Sequence, residues 1–299
     1  MFVRLGVAPI AWSNDDLPEM GGDTPLEVCL RESREAGFSG TETGGKFPMD
    51  PDVLGPILEE YELKLVSGWF SGQLRALSVA EEKSRLDRQV STFAALGAPV
   101  LVYAETTDTV QNQQRVAVSR RPRMPDEEYR EYGAKLTEIA EYTASRGVRL
   151  AYHHHMGTVI ETEDESDLLM ANTGAAVGLL VDTGHMVFAG GDPVATLRRH
   201  ADRIVHVHCK DIRADVLERV RAADMSFLDA VLEGVFTVPG DGSIDFQSVA
   251  DALAEIDYSG WVVVEAEQDP VKAPPLEYAT MGQRHLTRVF TKAGFRIEA

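Results

Sequence analysis

Val177-Gly178-Leu179-Leu180-Val181-Asp182 and Ile204-Val205-His206-Val207-His208 are two apolar, β-branched runs, and Asp192-Pro193 opens the stretch between them. Each run has the length of a buried strand, and an Asp cap followed by Pro at the first helical position marks a helix start. The segment therefore reads as one βαβ unit. Working outward, the same alternation recurs to both ends of the chain. Candidate strands lie at 3–8, 38–42, 63–68, 99–104, 148–154, 177–182, 203–208 and 261–266. Helix signals fill the gaps. Thr24-Pro25-Leu26-Glu27 offers a Thr cap for a helix ending near Gly37, and Ser78-x-x-Glu81 opens one carrying Leu86, Val90, Phe93 and Leu96. Asp126 to Arg146 and about Tyr278 to Lys292 have the helical period, and Asp245 starts another helix. Eight strands, each followed by a helix, with no Pro/Ser-rich linker or repeat, predict an α/β fold of the (β/α)8 TIM-barrel type, one domain over residues 1–299. The longest irregular segments, 105–125 and 211–244, have the length of lids or binding loops; Met225 to Val231 reads as a short helix inside the second.

Composition narrows the function. The chain has 299 residues, 44% hydrophobic and 26% charged, enough for a sizeable core. Twenty-nine basic against 48 acidic residues leave a net charge of -19, which repels nucleic acid and anionic lipid. Two cysteines, Cys29 and Cys209, cannot make a disulfide framework or a thiolate zinc site, and no apolar run reaches membrane-spanning length. No secretory leader is evident at Met1 to Trp12, so the expected location is the cytoplasm. There is neither a P-loop nor a Gly-x-Gly-x-x-Gly fingerprint to indicate a nucleotide cofactor. A monomer and a homo-oligomer are both compatible with this composition.

In a (β/α)8 barrel the chemistry sits at the C-terminal strand ends. Six of the eight histidines fall there: His153, His154, His155, His185, His206 and His208. Period-two alternation puts His153 and His155 on one face and His154 on the other. It likewise groups His206, His208 and Lys210 on the seventh strand, and Glu265 with Glu267 on the eighth. The sixth ends in Asp182. Three successive strands thus bring Asp182, His208 and Glu265 to one rim. Carboxylate oxygen mixed with imidazole nitrogen suits a divalent Mn, Co or Zn ion. Trp12, Asn14, Asp15, Glu42, Lys46 and Trp69 follow the first three strands, with Glu105 after the fourth; aromatic faces and polar side chains of this kind suit a polyhydroxylated ring.

The motif order resembles the sugar isomerase, epimerase and dehydratase superfamily built on the xylose-isomerase-type barrel, and more closely its inosose dehydratases of myo-inositol catabolism. The matching segments include Trp12-Ser13-Asn14-Asp15-Asp16, Thr41-Glu42-Thr43-Gly44-Gly45-Lys46, Tyr152-His153-His154-His155, Asp182-Thr183-Gly184-His185, Val207-His208-Cys209-Lys210-Asp211 and Glu265-Ala266-Glu267-Gln268-Asp269-Pro270. The resemblance implies a metal held by Asp182, His208 and Glu265, with His153 standing where the superfamily usually has Glu; His155 on the same face is the other candidate. It implies Mn or Co as the ion, glutathione as a further cofactor, and loss of water from 2-keto-myo-inositol, a cyclic polyol ketone, with His154 among the substrate-binding residues. Dehydration needs a base at the α-carbon and an acid at the departing hydroxyl. Glu265 and Glu267 are the candidate bases, and His185, His155 and Lys210 the candidate acids. An epimerase working through the same enolate is the alternative.

Overall fold

The computed structural model describes residues 1–298. Eight parallel strands close on themselves: β1 (Phe2–Val7), β2 (Gly40–Thr43), β3 (Lys64–Gly72), β4 (Val100–Glu105), β5 (Arg149–His153), β6 (Val177–Asp182), β7 (Ile204–Cys209) and β8 (Gly260–Val264). They pair in sequence order, and β8 returns to β1 in the register Val3–Gly260 to Val7–Val264. This is the TIM barrel that the alternation predicts. Helices surround it, among them Leu26–Glu35, Pro51–Glu60, Val79–Leu96, Tyr129–Ser145, Glu163–Ala171, Pro193–Arg199, Phe246–Glu255 and Pro275–Lys292.

Alternation divides each strand between two environments. On β1 and β8, Val3, Leu5, Val7, Val262 and Val264 join the large core under the helices. Ala8, Val66, Trp261 and Val263 form a cluster of their own in the barrel interior. Space there is short: a Cβ at Gly40 would lie 2.5 Å from Val66 Cγ2 and 2.7 Å from the Trp261 ring. The short β2 pairs with β1 only at Gly6 and Val7, and the free lower half of β1 takes a C-terminal strand, Arg296–Glu298, in parallel.

Two local expectations change. Thr24 does not cap the first helix; Pro25 stands at the cap without a side-chain bond, and the Thr24 carbonyl accepts from Lys46 Nζ instead. The segment 211–244 is far from irregular. It contains helices Ala214–Ala222 and Phe227–Leu232 and an antiparallel pair, Asp211–Ile212 with Phe236–Thr237. Val216, Leu217, Val220, Phe227, Leu228 and Val231 repeat at helical spacing and bury against Leu17, Met20, Met156 and Phe188, a second apolar cluster above the barrel mouth. Asp211 accepts backbone N–H bonds from Gly240, Gly242, Ile244 and Ile212, which folds the Pro239-to-Gly242 turn back onto the ribbon. The Ser78 capping box is present, and Asp192 and Asp245 cap as their positions predict.

Candidate metal centre and active site

The last four strands deliver their ionisable ends to one point. A nitrogen or carboxylate oxygen from each of His153, Asp182, His208 and Glu265 falls within 4.8 Å of the others, and all four residues are buried. His155 is outside this group. A register shift opposite Leu179 and Leu180 lies below His206, so His206, His208 and Lys210 keep their common face.

Partners on the far side of each ring prepare these atoms. His153 Nδ1 sits 2.5 Å from the His154 carbonyl, so it carries the proton and Nε2 keeps a free lone pair, 3.9 Å from Asp182 Oδ2. His208 Nε2 lies 3.0 Å from Glu42 Oε1, which turns Nδ1 towards Asp182 Oδ2 at 3.6 Å and Glu265 Oε2. Asp182 Oδ1 caps the helix Thr183–Phe188 by accepting from His185 N–H at 2.8 Å. Its Oδ2 is fully buried and has no hydrogen-bond partner. An acceptor left so costs about 1–3 kcal/mol, more when charged. Three buried carboxyls, Asp182, Glu265 and Glu267, lie within 4 Å of one ammonium, Lys210. The orphaned oxygen, the nitrogen and oxygen donors and the surplus of negative charge fit a divalent cation.

Lys210 is wholly buried. Its Nζ lies 2.9 Å from Glu265 Oε1, 3.2 Å from Glu267 Oε2 and 2.9 Å from His185 Nε2, and 4.8 Å from the centre of the Phe236 ring. Burial works against its charge, but Glu265, Glu267 and Asp182 outweigh this and raise its pKa. Burial would also raise Glu265, yet Lys210 and His208 hold it well below the usual carboxylate range. Glu267 goes the other way, pushed up to about 7 by burial despite Lys210. Burial lowers His153 well below the ordinary imidazole value and His155 to about 4, so both rings are neutral at pH 7. His155 Nδ1–H donates a hydrogen bond to the Met156 carbonyl at 2.9 Å, leaving Nε2 as an acceptor.

Above the group lies a cavity of about 480 Å³, a size suited to a small ligand. His153, His155, His208, Glu265, Glu267, Glu42, Asp15 and Trp69 line it, and Trp69 meets the His153 and His155 rings edge-on. His185 and Lys210 stand behind this wall, under Phe227 and Phe236. Four residues expected to bind substrate are turned elsewhere. Trp12 is buried and donates Nε1–H to Glu32; Asn14 accepts from Asp16 and Leu17 N–H; Lys46 clamps the Gly21 and Thr24 carbonyls. His154 accepts from Asp182 N–H on the opposite face of β5. Glu42 reaches the cavity but is engaged by Ser67, His206 and His208; the charge on His208 and the hydrogen bonds from both imidazoles overcome its burial and lower it to about 2. Asp16, Ser71, Gln73, Gln111 and Asn112 also line the cavity and were not singled out from sequence. All are loop or strand-end polar residues without a periodic signal.

Residues 30–289 match a protein family described as the xylose isomerase-like TIM barrel. The chain belongs to that family. It is 52% identical to the rhizopine catabolism protein MocC of Rhizobium meliloti, over 100% of this chain and 92% of that protein. It is 42% identical to inosose dehydratase of Clostridium tetani, over 95% and 96% of the two chains. Among solved structures, L-ribulose 3-epimerase superposes with a TM-score of 0.69 at 16% identity, covering 98% of this chain and 96% of that one. The IolI protein solved with a zinc atom gives 0.67 at 18%, covering 97% and 99%. These structures share the fold.

Proposed function

We propose that this protein is a metal-dependent hydro-lyase that removes water from 2-keto-myo-inositol, giving a trihydroxycyclohexane-1,2-dione, in inositol catabolism. The observation that carries the chemistry is the orphaned Asp182 oxygen among His153, His208 and Glu265, with Glu267 beside them in the cavity wall. The choice of dehydration follows the inosose dehydratases to which the chain is 40–43% identical. His153, Asp182, His208 and Glu265 would hold the ion, and Mn or Co is the species we favour, with Zn also compatible. Such an ion supplies positive charge to the substrate's carbonyl oxygen, which makes the neighbouring C–H acidic.

The chain's own residues handle the proton. Glu265 is committed to Lys210 and His208, and His185 and Lys210 lie behind the wall, so Glu267 and His155 are the candidate acid–base residues that face substrate. Glu267 takes the α-proton onto its carboxylate and returns it to the β-hydroxyl, which leaves as water; the carboxyl ends as it began. Lys210 holds Glu267 and Glu265 in place. His155 accepts a hydrogen bond from substrate at Nε2. Phe227 and Phe236 cover His185 and exclude water from the rear of the site. The free, buried thiols of Cys29 and Cys209 support a reducing, cytoplasmic setting. Glutathione rests on the resemblance alone.

Incubation of metal-loaded protein with 2-keto-myo-inositol in D2O tests this reading. A product lighter by one water is expected. Recovered inosose carrying deuterium at carbon, with no dione, would assign an epimerase.

A further inference from the structure

Five carboxylates line the cavity, and the protein engages four of them. Glu42 is held by Ser67, His206 and His208, Glu265 by His208 and Lys210, and Glu267 by Lys210. Asp15 Oδ2 accepts from Gly45 N–H at 2.8 Å. Asp16 differs: among the described residues, none hydrogen-bonds or ion-pairs with its carboxyl. Asp16 is exposed to water, yet the protein around it desolvates the carboxyl and, with the Asp15 charge, raises its pKa. A group that water reaches but protein surrounds lies in a concavity, not on open surface. Its charge also reaches Glu267 and helps to raise that carboxyl. The unengaged carboxylate therefore shares the cavity with the candidate acid–base residue.

The chain on both sides of Asp16 is anchored. Asn14 Oδ1 accepts from Asp16 N–H at 2.8 Å and from Leu17 N–H at 3.0 Å, and Asn14 N–H donates to the Met20 carbonyl at 3.0 Å. Leu17 and Met20 are buried in the apolar cluster above the barrel mouth. On the other side, the bond from Gly45 ties Asp15 to the loop after β2. The backbone of Asp16 is thus fixed while its carboxylate is left over. No lysine or arginine is among the described residues lining the cavity. A wall of this kind repels phosphate and carboxylate groups and offers acceptors to hydroxyl donors, with a charged acceptor making the stronger bond.

We propose that Asp16 is a substrate-binding residue whose carboxylate accepts hydrogen bonds from ring hydroxyls of an uncharged polyol ketone. The proposal rests on the reading of the cavity as a polyol-ketone site and adds a hold on the ring outside the metal group.

Affinity can be read before turnover by stopped-flow quenching of tryptophan fluorescence, since Trp69 lines the cavity. With metal-loaded protein and 2-keto-myo-inositol, Asp16→Ala should raise Kd about tenfold. Asp16→Asn keeps an acceptor oxygen and should stay within about threefold of wild type. Both ligand-free variants should keep the wild-type melting temperature and metal content, because the carboxyl has no protein partner to lose and lies outside the ligand group. Wild-type Kd in the alanine variant would overturn the proposal. So would equal loss of affinity in the two variants, a lower melting temperature or metal content in the alanine variant, or a wild-type protein that does not bind the ketone. Tight binding that depends on Asp16 but releases no water would instead defeat the dehydratase reading and leave this assignment in place.

Discussion

Carboxylates stand at the ends of β2 and β4, and others at the ends of β6 and β8, but their surroundings differ. Glu42 is held by Ser67, His206 and His208; Glu105 accepts N–H bonds from Arg75 and Thr107 at 3.3 and 3.0 Å. Both are buried and both have their demands met by the protein. Asp182 spends one oxygen on a helix cap and leaves the other unpaired, and Glu265 is drawn between His208 and Lys210. Carboxylates at matching topological positions are held as framework on one half of the barrel and left as candidate ligands on the other. What separates them is whether local donors exhaust the lone pairs.

The largest effect is expected at the unsatisfied carboxylate. Asp182→Asn should abolish stoichiometric metal, measured by mass spectrometry of the metal content, and lower kcat/KM by about 10³-fold or more, with the circular dichroism spectrum unchanged. Full metal and activity in that variant would erase the distinction between the halves. Glu267→Gln comes next. It should lower kcat by about 10²–10⁴-fold while the metal content stays at the wild-type level, since the proposed role of this carboxyl is proton transfer and it lies outside the candidate ligand group.

The comparison sharpens at the framework pair. Glu42→Gln should weaken metal affinity by about 10–100-fold through the His208 ring it orients, with kcat largely recovered at saturating metal. Glu105→Gln should leave metal affinity alone and cost about 1–3 kcal/mol of stability in chemical denaturation. Equal metal effects from the two would show that orientation of His208 is not the route.

The smallest effect concerns Glu161, which through its pairing with Arg121 ties the loops after β4 and β5. Burial, only partly offset by the Arg121 charge, pushes its carboxyl up to about 7. A carboxyl with a folded pKa above its unfolded one binds its proton more tightly when folded, so its contribution to stability is present at low pH and lost as pH rises towards 7. Between pH 5 and 7, wild type should lose stability relative to Glu161→Gln by at most about 1.4 kcal/mol per pH unit. Parallel stability curves for the two proteins would contradict this.

Periodicity made the barrel and half of its mouth legible from the sequence. Strand residues two apart must share a face, which groups His153 with His155, His206 with His208 and Lys210, and Glu265 with Glu267, and sets His154 apart. Spacing could not show which partners reach a side chain from across the barrel. Glu42, expected from its strand-end position to bind substrate, is occupied by Ser67, His206 and His208, up to 166 residues away. Trp12, Asn14 and Lys46 follow strand ends, yet loop closure turns them to Glu32, to local N–H groups and to the Gly21 and Thr24 carbonyls. Asp16 carries no periodic signal, because its place depends on the turn that Asn14 closes. The sequence by itself determined the strand order and the faces, which are properties of consecutive residues. The tertiary structure decided which polar atoms remain unpaired, because that depends on donors and acceptors brought together from distant parts of the chain.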